Sequence, residues 1–139
     1  MPIGSSGANA LNGYEGNDVL RGGAVQDVLT GGSGSDRFVF AATGDSAVGA
    51  NADRIADFSR AQGDRIDLSA IDANAGAAGN QAFSFIGGAA FTHHAGQLRA
   101  AVTSSGVTTI AGDANGDGVS DFHIQIAGAI ALVAGDFVL

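Results

Sequence analysis

The chain contains no cysteine, so neither disulfides nor thiolate metal sites contribute to its structure. It contains no lysine either: its six basic residues are all arginine, against fourteen acids, for a formal net charge of −8. Without a basic patch to neutralise phosphates, the composition argues against nucleic acid or anionic membrane as a partner. No run of about 18 apolar residues occurs, which excludes a membrane-spanning helix. The opening MPIGSSG lacks the basic and apolar regions of a secretory signal peptide, so export is expected to use another route.

Glycine and aspartate are what the chain has instead. Its 139 residues include 23 glycines and 13 aspartates, but one glutamate and one proline. Aspartate and glutamate carry the same charge, so solubility does not choose between them; the bias marks aspartate as a turn residue and a short, hard oxygen ligand. An apolar content of 45% over this length is that of one ordinary globular domain.

From Gly4 to Val39 one nine-residue phrase is written four times: GSSGANALN (4–12), GYEGNDVLR (13–21), GGAVQDVLT (22–30) and GGSGSDRFV (31–39). The template is G-G-x-G-x-D-x-U-x, with U large and apolar. Each phrase divides into a six-residue turn and a three-residue strand. Glycines at the first, second and fourth positions admit positive φ and bare their carbonyls, and the sixth-position aspartate adds an anionic oxygen. Calcium takes about six to eight oxygens at roughly 2.3–2.6 Å in a tolerant geometry, which carbonyls and carboxylates supply together. The U residues Leu11, Leu20, Leu29 and Phe38 fall nine apart and are expected to stack as one apolar column. So short a strand does not hold alone, and a bound metal is the natural staple. A flexible Gly/Asp spacer is the alternative, but spacers do not place large apolar residues at a fixed interval.

The phrase resembles the calcium-binding nonapeptide of RTX proteins. In the right-handed parallel β-roll which that resemblance implies, two nonapeptides make one coil, so turns two repeats apart stack and share an ion. Repeat two then pairs with repeat four, giving Asp18 and Asp36 as side-chain ligands with carbonyls around Gly13, Glu15, Gly32 and Gly34. Repeat one pairs with repeat three through Asn9 and Asp27, and this site has a defect in each turn. Asn9 stands in place of an acid, and Val25 stands where a fourth-position glycine takes a left-handed conformation that a β-branched residue resists.

Beyond the repeats, FVFAAT, DRIADF (53–58), DRIDLSAI (64–71), FSFIG, QLRAAV and TTIAG read as short strands between Gly-, Ala- and Ser-rich turns. No segment has the periodicity and caps of a long helix. Taken together, FVF, D-x-I-x-D-F, G-D-x-I-D-L-S, GNQAFSFIG (79–87) and AGQLR (95–99) are similar to the C-terminal domain of serralysin-type secreted metalloproteases, over nearly the whole chain. The resemblance hints at Asp53 as a ligand below the last turn. Otherwise Asp53, Asp57, Asp64 and Asp67 are turn and strand-end carboxylates, with Arg54 and Arg65 as ion-pair partners worth at most about 1 kcal/mol each if exposed.

A second candidate loop is DANGDGVSD (113–121). Asp113, Asn115 and Asp117 occupy alternate positions, Gly118 permits a sharp turn, Val119 offers a carbonyl, and Asp121 follows; such spacing wraps oxygens around one ion. An EF-hand would need glutamate at the twelfth position, where this chain has Ile124 in the strand FHIQI, so the loop is expected to join strands rather than helices. An Asx-rich turn without metal is the alternative.

Catalytic patterns are not found. His93 and His94 are adjacent and diverge in a strand, His123 lies in a separate segment, and no HExxH occurs to build a catalytic zinc site. No G-x-S-x-G elbow places a nucleophilic serine.

The last residues, Asp136, Phe137, Val138 and Leu139, read as a final core strand. Within the family resembled, an acid followed by apolar residues at the C-terminus belongs to the uncleaved signal of a type I (ABC transporter) export machine. The sequence thus leads to an all-β fold: a short right-handed parallel β-roll over 1–40 running into a β-sandwich-like cap over 41–139, as one continuous domain. The function expected is a secreted, extracellular, calcium-binding RTX domain that folds on calcium after export. Two alternatives stand beside it: a fragment of a secreted metalloprotease, lipase or epimerase whose catalytic domain lies elsewhere, and a calcium-dependent polysaccharide-binding module.

Overall fold

A computed structural model of the chain describes residues 10–23, 25–40, 46, 52–71, 82–103 and 105–139. It is built of short strands: β1 (Ala10–Asn12), β2 (Val19–Leu20), β3 (Val28–Thr30), β4 (Arg37–Val39), β5 (Asp53–Ile55), β6 (Arg65–Asp67), β7 (Ser84–Phe85), β8 (Gln97–Val102), β9 (Thr108–Asp113), β10 (Phe122–Ile126) and β11 (Phe137–Val138). Each glycine-rich turn reverses the chain, so consecutive strands of the repeats fall in different sheets. β1, β3 and β5 lie side by side in a seven-stranded sheet, and β2, β4 and β6 in a four-stranded one. Pairing is parallel and in strict phase: Leu11 meets Leu29 across β1 and β3, and Leu20 meets Phe38 across β2 and β4.

This arrangement corrects the expectation of a single apolar column. There are two, facing each other from opposite sheets: Leu11, Leu29, Ile55 and Ile126 in one, and Leu20, Phe38, Ile66 and Phe137 in the other. The nine-residue spacing is that of half a coil; residues on the same sheet are a full coil apart. Parallel pairing also continues past the repeats. β5 and β6 form a third coil on β3 and β4, and β10 and β11, from the far end of the chain, lie parallel to β5 and β6 as a fourth. From β10 the larger sheet runs on through antiparallel β9 and β8 and ends on β7.

The core follows from the two columns. Leu20, Leu29, Phe38, Ile55, Ile66, Ile124 and Ile126 are fully buried and belong to one cluster that also takes in Leu98, Ile110 and Phe122. Phe122 meets Phe83 edge to face, and Phe85 of the edge strand packs on Phe137. At about 1.5–3 kcal/mol for each large side chain withdrawn from water, these contacts between distant segments give the coils the support that two- and three-residue strands lack. The loop expected between residues 44 and 52 falls largely outside the described residues; Ser46 and Ala52 are described there, and both are buried.

Candidate metal sites along the turns

The strands hold the turns in two stacks, one on each flank of the roll. In the flank built by repeats two and four, turn 13–18 lies over turn 31–36, joined by Ser33 N donating to the Tyr14 carbonyl at 2.8 Å and Gly16 N donating to the Ser33 carbonyl at 2.9 Å. Gly32 and Gly34 take φ of 87° and 114°, and a Cβ on either would strike the carbonyls of Tyr14 and Gly16, so these two positions need glycine for both conformation and space.

First-position glycines are needed for another reason. Gly13, Gly22 and Gly31 are not among the residues with positive φ, contrary to the expectation for that position. Each makes room for its own repeat's aspartate: a Cβ on Gly31 would sit 2.3 Å from Asp36 Oδ2, and one on Gly22 2.3 Å from Asp27 Oδ2. On Gly13 it would lie 2.6 Å from both Asp18 Oδ2 and the Gly31 carbonyl oxygen. A carboxylate oxygen and a backbone carbonyl of the next coil therefore flank the space that glycine leaves open.

The aspartates form ladders. Asp36 Oδ1 accepts the Asp18 amide at 2.9 Å, and Asp64 Oδ1 accepts the Asp36 amide at 2.9 Å. On the opposite flank Asp53 Oδ1 accepts the Asp27 amide at 2.8 Å, and the Asp53 amide in turn donates to Ser46 Oγ at 2.8 Å. Asp36, Asp64 and Asp53 thus each use one oxygen to hold the coil before them. The Oδ2 atoms of Asp18 and Asp36 are buried with no hydrogen-bond donor among the described residues. Burying such an oxygen without a partner costs about 1–3 kcal/mol, more when the group is charged.

Electrostatics point the same way. Burial pushes the Asp36 carboxyl above its ordinary range, and the charges of Asp64, Asp18 and Asp57 add to the rise against the Asp18 amide, which opposes it. Asp64 is raised as well, by burial and by Asp57, against the amides of Asp36 and Ser59. A column of desolvated carboxylates that repel one another is relieved by a cation among them. Among the described residues no three His, Asp or Glu side chains converge on one point. An ion here would draw most of its donors from the backbone, and the residues present fit that demand. The stacking bonds of turns 13–18 and 31–36 engage the carbonyls of Tyr14 and Ser33, and not those of Gly13, Glu15, Gly32 and Gly34 that the sequence singles out. Hard oxygens of this kind suit calcium.

Residues 3–139 match the family described as Peptidase M10 serralysin C terminal. The chain belongs to the serralysin C-terminal family. A relative, metallopeptidase AprA of Pseudomonas marginalis, is 43% identical over 98 residues, which are 68% of this chain and 18% of the metallopeptidase. The chain therefore spans under a fifth of that relative's length. Among solved structures, the AlgE6R3 subunit of the Azotobacter vinelandii mannuronan C5-epimerase is 35% identical with a TM-score of 0.66, covering 98% of this chain and 70% of that one. The RTX and serralysin resemblance is thereby established, and with it the β-roll.

In this serralysin C-terminal domain two carboxylates matter that the sequence reading treats as turn or strand-end acids. Asp57 accepts the amides of Gly31 and Gly32, both at 2.8 Å, one with each oxygen, and Asp64 is the third rung of the Asp18–Asp36 ladder. The signal for Asp53 and Asp64 was available as a triplet. Asp53-Arg54-Ile55 and Asp64-Arg65-Ile66 repeat the acid-x-apolar phrase of Asp18-Val19-Leu20, Asp27-Val28-Leu29 and Asp36-Arg37-Phe38, at wider spacing. Asp53 lies directly under Asp27 of repeat three, while Asn9, its expected partner, is outside the described residues. Ion pairs among the described residues join Arg37 to Asp67 at 3.7 Å and Arg60 to Asp136 at 2.7 Å, not the expected Arg54 and Arg65.

The 113–121 loop joins β9 to β10 and is wired by its own oxygens. Asp113, fully buried, accepts the Gly116 amide at 2.8 Å through Oδ1 and the Gly118 amide at 2.9 Å through Oδ2. Asp121 Oδ2 accepts the Ala114 amide at 2.7 Å, Asn115 Oδ1 accepts the Asp117 amide at 3.1 Å, and Asp117 Oδ1 accepts the Val119 amide at 2.9 Å. Asp113, Asn115 and Asp121 are brought together, with Asn115, Asp117 and Val119 exposed. His93 packs against Gly118, and His94 is exposed beside it. His123 is half-buried on β10, its pKa lowered by burial and then by the Arg99 charge.

At the C-terminus Arg60 grips Asp136 with two hydrogen bonds of 2.7 Å and also donates to the Ala131 carbonyl at 2.7 Å. Burial alone would raise the Asp136 carboxyl. The Arg60 hydrogen bonds, the Val133 amide and the charges of Arg60 and Arg65 outweigh it and hold the group below its ordinary range. Phe137 pairs with Ile66, so the tail is a working strand of the roll.

Proposed function

We propose that this domain binds calcium along its turn stacks, that binding drives its folding after export from the cell, and that its C-terminal tetrapeptide serves the type I export machine. The observation that carries the reading is the Asp18–Asp36–Asp64 ladder, whose buried Oδ2 atoms at Asp18 and Asp36 have no donor. In the metal-free chain those carboxylates oppose folding; an ion bound to the folded state alone stabilises it by about 2.7 kcal/mol per site at a hundredfold excess over its Kd. The ligands assigned are Asp18, Asp36 and Asp64 with carbonyls of Gly13, Glu15, Gly32 and Gly34 on one flank, and Asp27, Asp53 and Asn9 on the other. The loop formed by Asp113, Asn115, Asp117, Val119 and Asp121 is assigned a further ion, which replaces part of its internal wiring.

Cytoplasm poor in free calcium would keep the chain unfolded and its tail Asp136–Leu139 accessible to the transporter, and calcium outside would then close the roll. Far-UV circular dichroism during a calcium titration, with bound metal counted, tests this. A folded spectrum in chelator that calcium leaves unchanged would refute it. Deleting residues 136–139 should abolish export from a host carrying the transporter, and unchanged export would remove the tail's role. No catalysis is assigned to these residues, so peptidase activity of the purified chain would contradict the reading.

One observation favours a second reading as a glycan-binding module. Arg37 and Arg65 are paired in register on adjacent strands and line a cleft of about 580 Å3 with Asn17, Ser35, Asp18 and Asp36. Asp67, 3.7 Å from Arg37, offsets part of this charge; the Arg65 charge beside it remains unfavourable on a sheet, and the anionic groups of an acidic polysaccharide would offset it. Co-sedimentation with a polyuronate, with and without calcium, separates the two readings.

A further inference from the structure

Among the described residues, each flank of the roll contains one left-handed turn position held by a residue with a side chain. Tyr14, at the second position of repeat two, has φ of 66°, and Val25, at the fourth position of repeat three, has φ of 74°. The same positions in the neighbouring repeats are glycine: Gly23 and Gly32 match Tyr14, and Gly16 and Gly34 match Val25. A left-handed conformation brings Cβ against the following carbonyl, most severely when Cβ is branched. Neither side chain recovers that cost by packing, since Tyr14 is 72% exposed and Val25 53% exposed. Tyr14 heads the turn that carries Asp18, and Val25 stands two residues before Asp27, so one strained residue lies within each ladder's own turn.

We propose that Tyr14 and Val25 set the calcium threshold of the fold: their strain holds the metal-free roll below the stability at which it closes without ions. This deepens the calcium-dependent reading above and rests on it. Strain of this kind is removed only by folding in reverse, so it weighs on the metal-free and metal-bound folded states alike. Calcium offsets it; glycine at either position removes it. The chain would then be a switch whose set point is tuned by backbone conformation as well as by the ligand carboxylates.

The test uses the full chain and four variants: Val25→Gly, Val25→Asn, Val25→Ala and Tyr14→Gly. Folded fraction in chelator and the calcium midpoint are read by circular dichroism, and the urea midpoint in saturating calcium is measured beside them. Asparagine keeps a Cβ yet tolerates the left-handed region, whereas alanine does not. Val25→Gly, Val25→Asn and Tyr14→Gly are expected to shift the metal-free equilibrium about fivefold toward the folded state and to lower the calcium midpoint, with Val25→Ala, which loses the branch but keeps an ordinary Cβ, shifting both by less. If Val25→Ala matches Val25→Asn, or if no variant moves the equilibrium, the inference is overturned while calcium dependence stands. If the wild-type chain is fully folded in chelator, the calcium reading fails; the urea midpoints then still decide whether these residues are strained.

Discussion

Replacing Gly13 by alanine tests the central geometric claim without altering any charge. Gly13 does not use positive φ, so alanine carries no conformational penalty there. Its Cβ would fall 2.6 Å from Asp18 Oδ2 and 2.6 Å from the Gly31 carbonyl oxygen. The carboxylate can rotate away, but the carbonyl belongs to the stacked turn and moves only with it. Overpacking of this kind costs about 1–3 kcal/mol in the metal-free chain. In calcium the same methyl group displaces a proposed ligand, removing up to about 2.7 kcal/mol more at a hundredfold excess over Kd, for a total of about 4–6 kcal/mol. That is a large part of the roughly 5–15 kcal/mol by which domains are stable. Urea midpoints at several calcium concentrations, with ions counted at saturation, give both parts separately. Gly135→Ala, where a Cβ meets nothing within 4 Å, is the control and should leave both unchanged. An equal loss at low and at saturating calcium, with unchanged ion count, would show that the space beside Gly13 is not used by metal.

Asp36→Asn keeps an oxygen to accept the Asp18 amide and removes one charge from the ladder, so the metal-free fold should gain stability while calcium affinity falls; calorimetric titration and urea melts read the two effects. Because the Asp36 and Asp64 carboxyls are raised above the ordinary value of 3.8, the folded metal-free chain holds protons more tightly than the unfolded one. Its stability should therefore fall as pH rises through their raised values, and calcium should abolish that slope, as the folded fraction read by circular dichroism across pH at low and at saturating calcium would show. Asp136 has the opposite sign: its carboxyl is depressed, so its contribution is present above the ordinary carboxylate range and lost as pH falls through the depressed value. Arg60→Ala leaves Asp136 buried without its guanidinium and should loosen β11, measured as faster carboxypeptidase trimming and faster amide exchange at Phe137 and Val138 than in the parent chain.

The repeats are legible because the chemistry of a turn is local. Glycines that must pass within contact of a carbonyl, and an acid that must fold back over its own repeat, leave a fixed spelling in the chain, and that spelling marks Asp18, Asp27 and Asp36 as the acids of their turns. Asp57 and Asp64 lie outside that spelling, because the turn 56–64 is longer than a repeat turn and contains the short 3-10 helix Arg60–Gln62, which breaks the nine-residue count while keeping the strand phase. The partnership of Arg60 with Asp136 joins residues 76 apart and has no sequence signature at all.

By itself, then, the sequence determined the all-β class, the turn-and-strand unit and the oxygen-rich chemistry of the turns, since each depends on residues within one repeat. Tertiary structure decided what depends on residues far apart. It split the apolar residues into two facing columns, because each turn sends the next strand to the other sheet. It also added a third and a fourth coil, the last made from the chain's own C-terminus. Two coils of three-residue strands expose too much backbone to stand alone, and the strands Phe122–Ile126 and Phe137–Val138 cover them only after the whole chain is present.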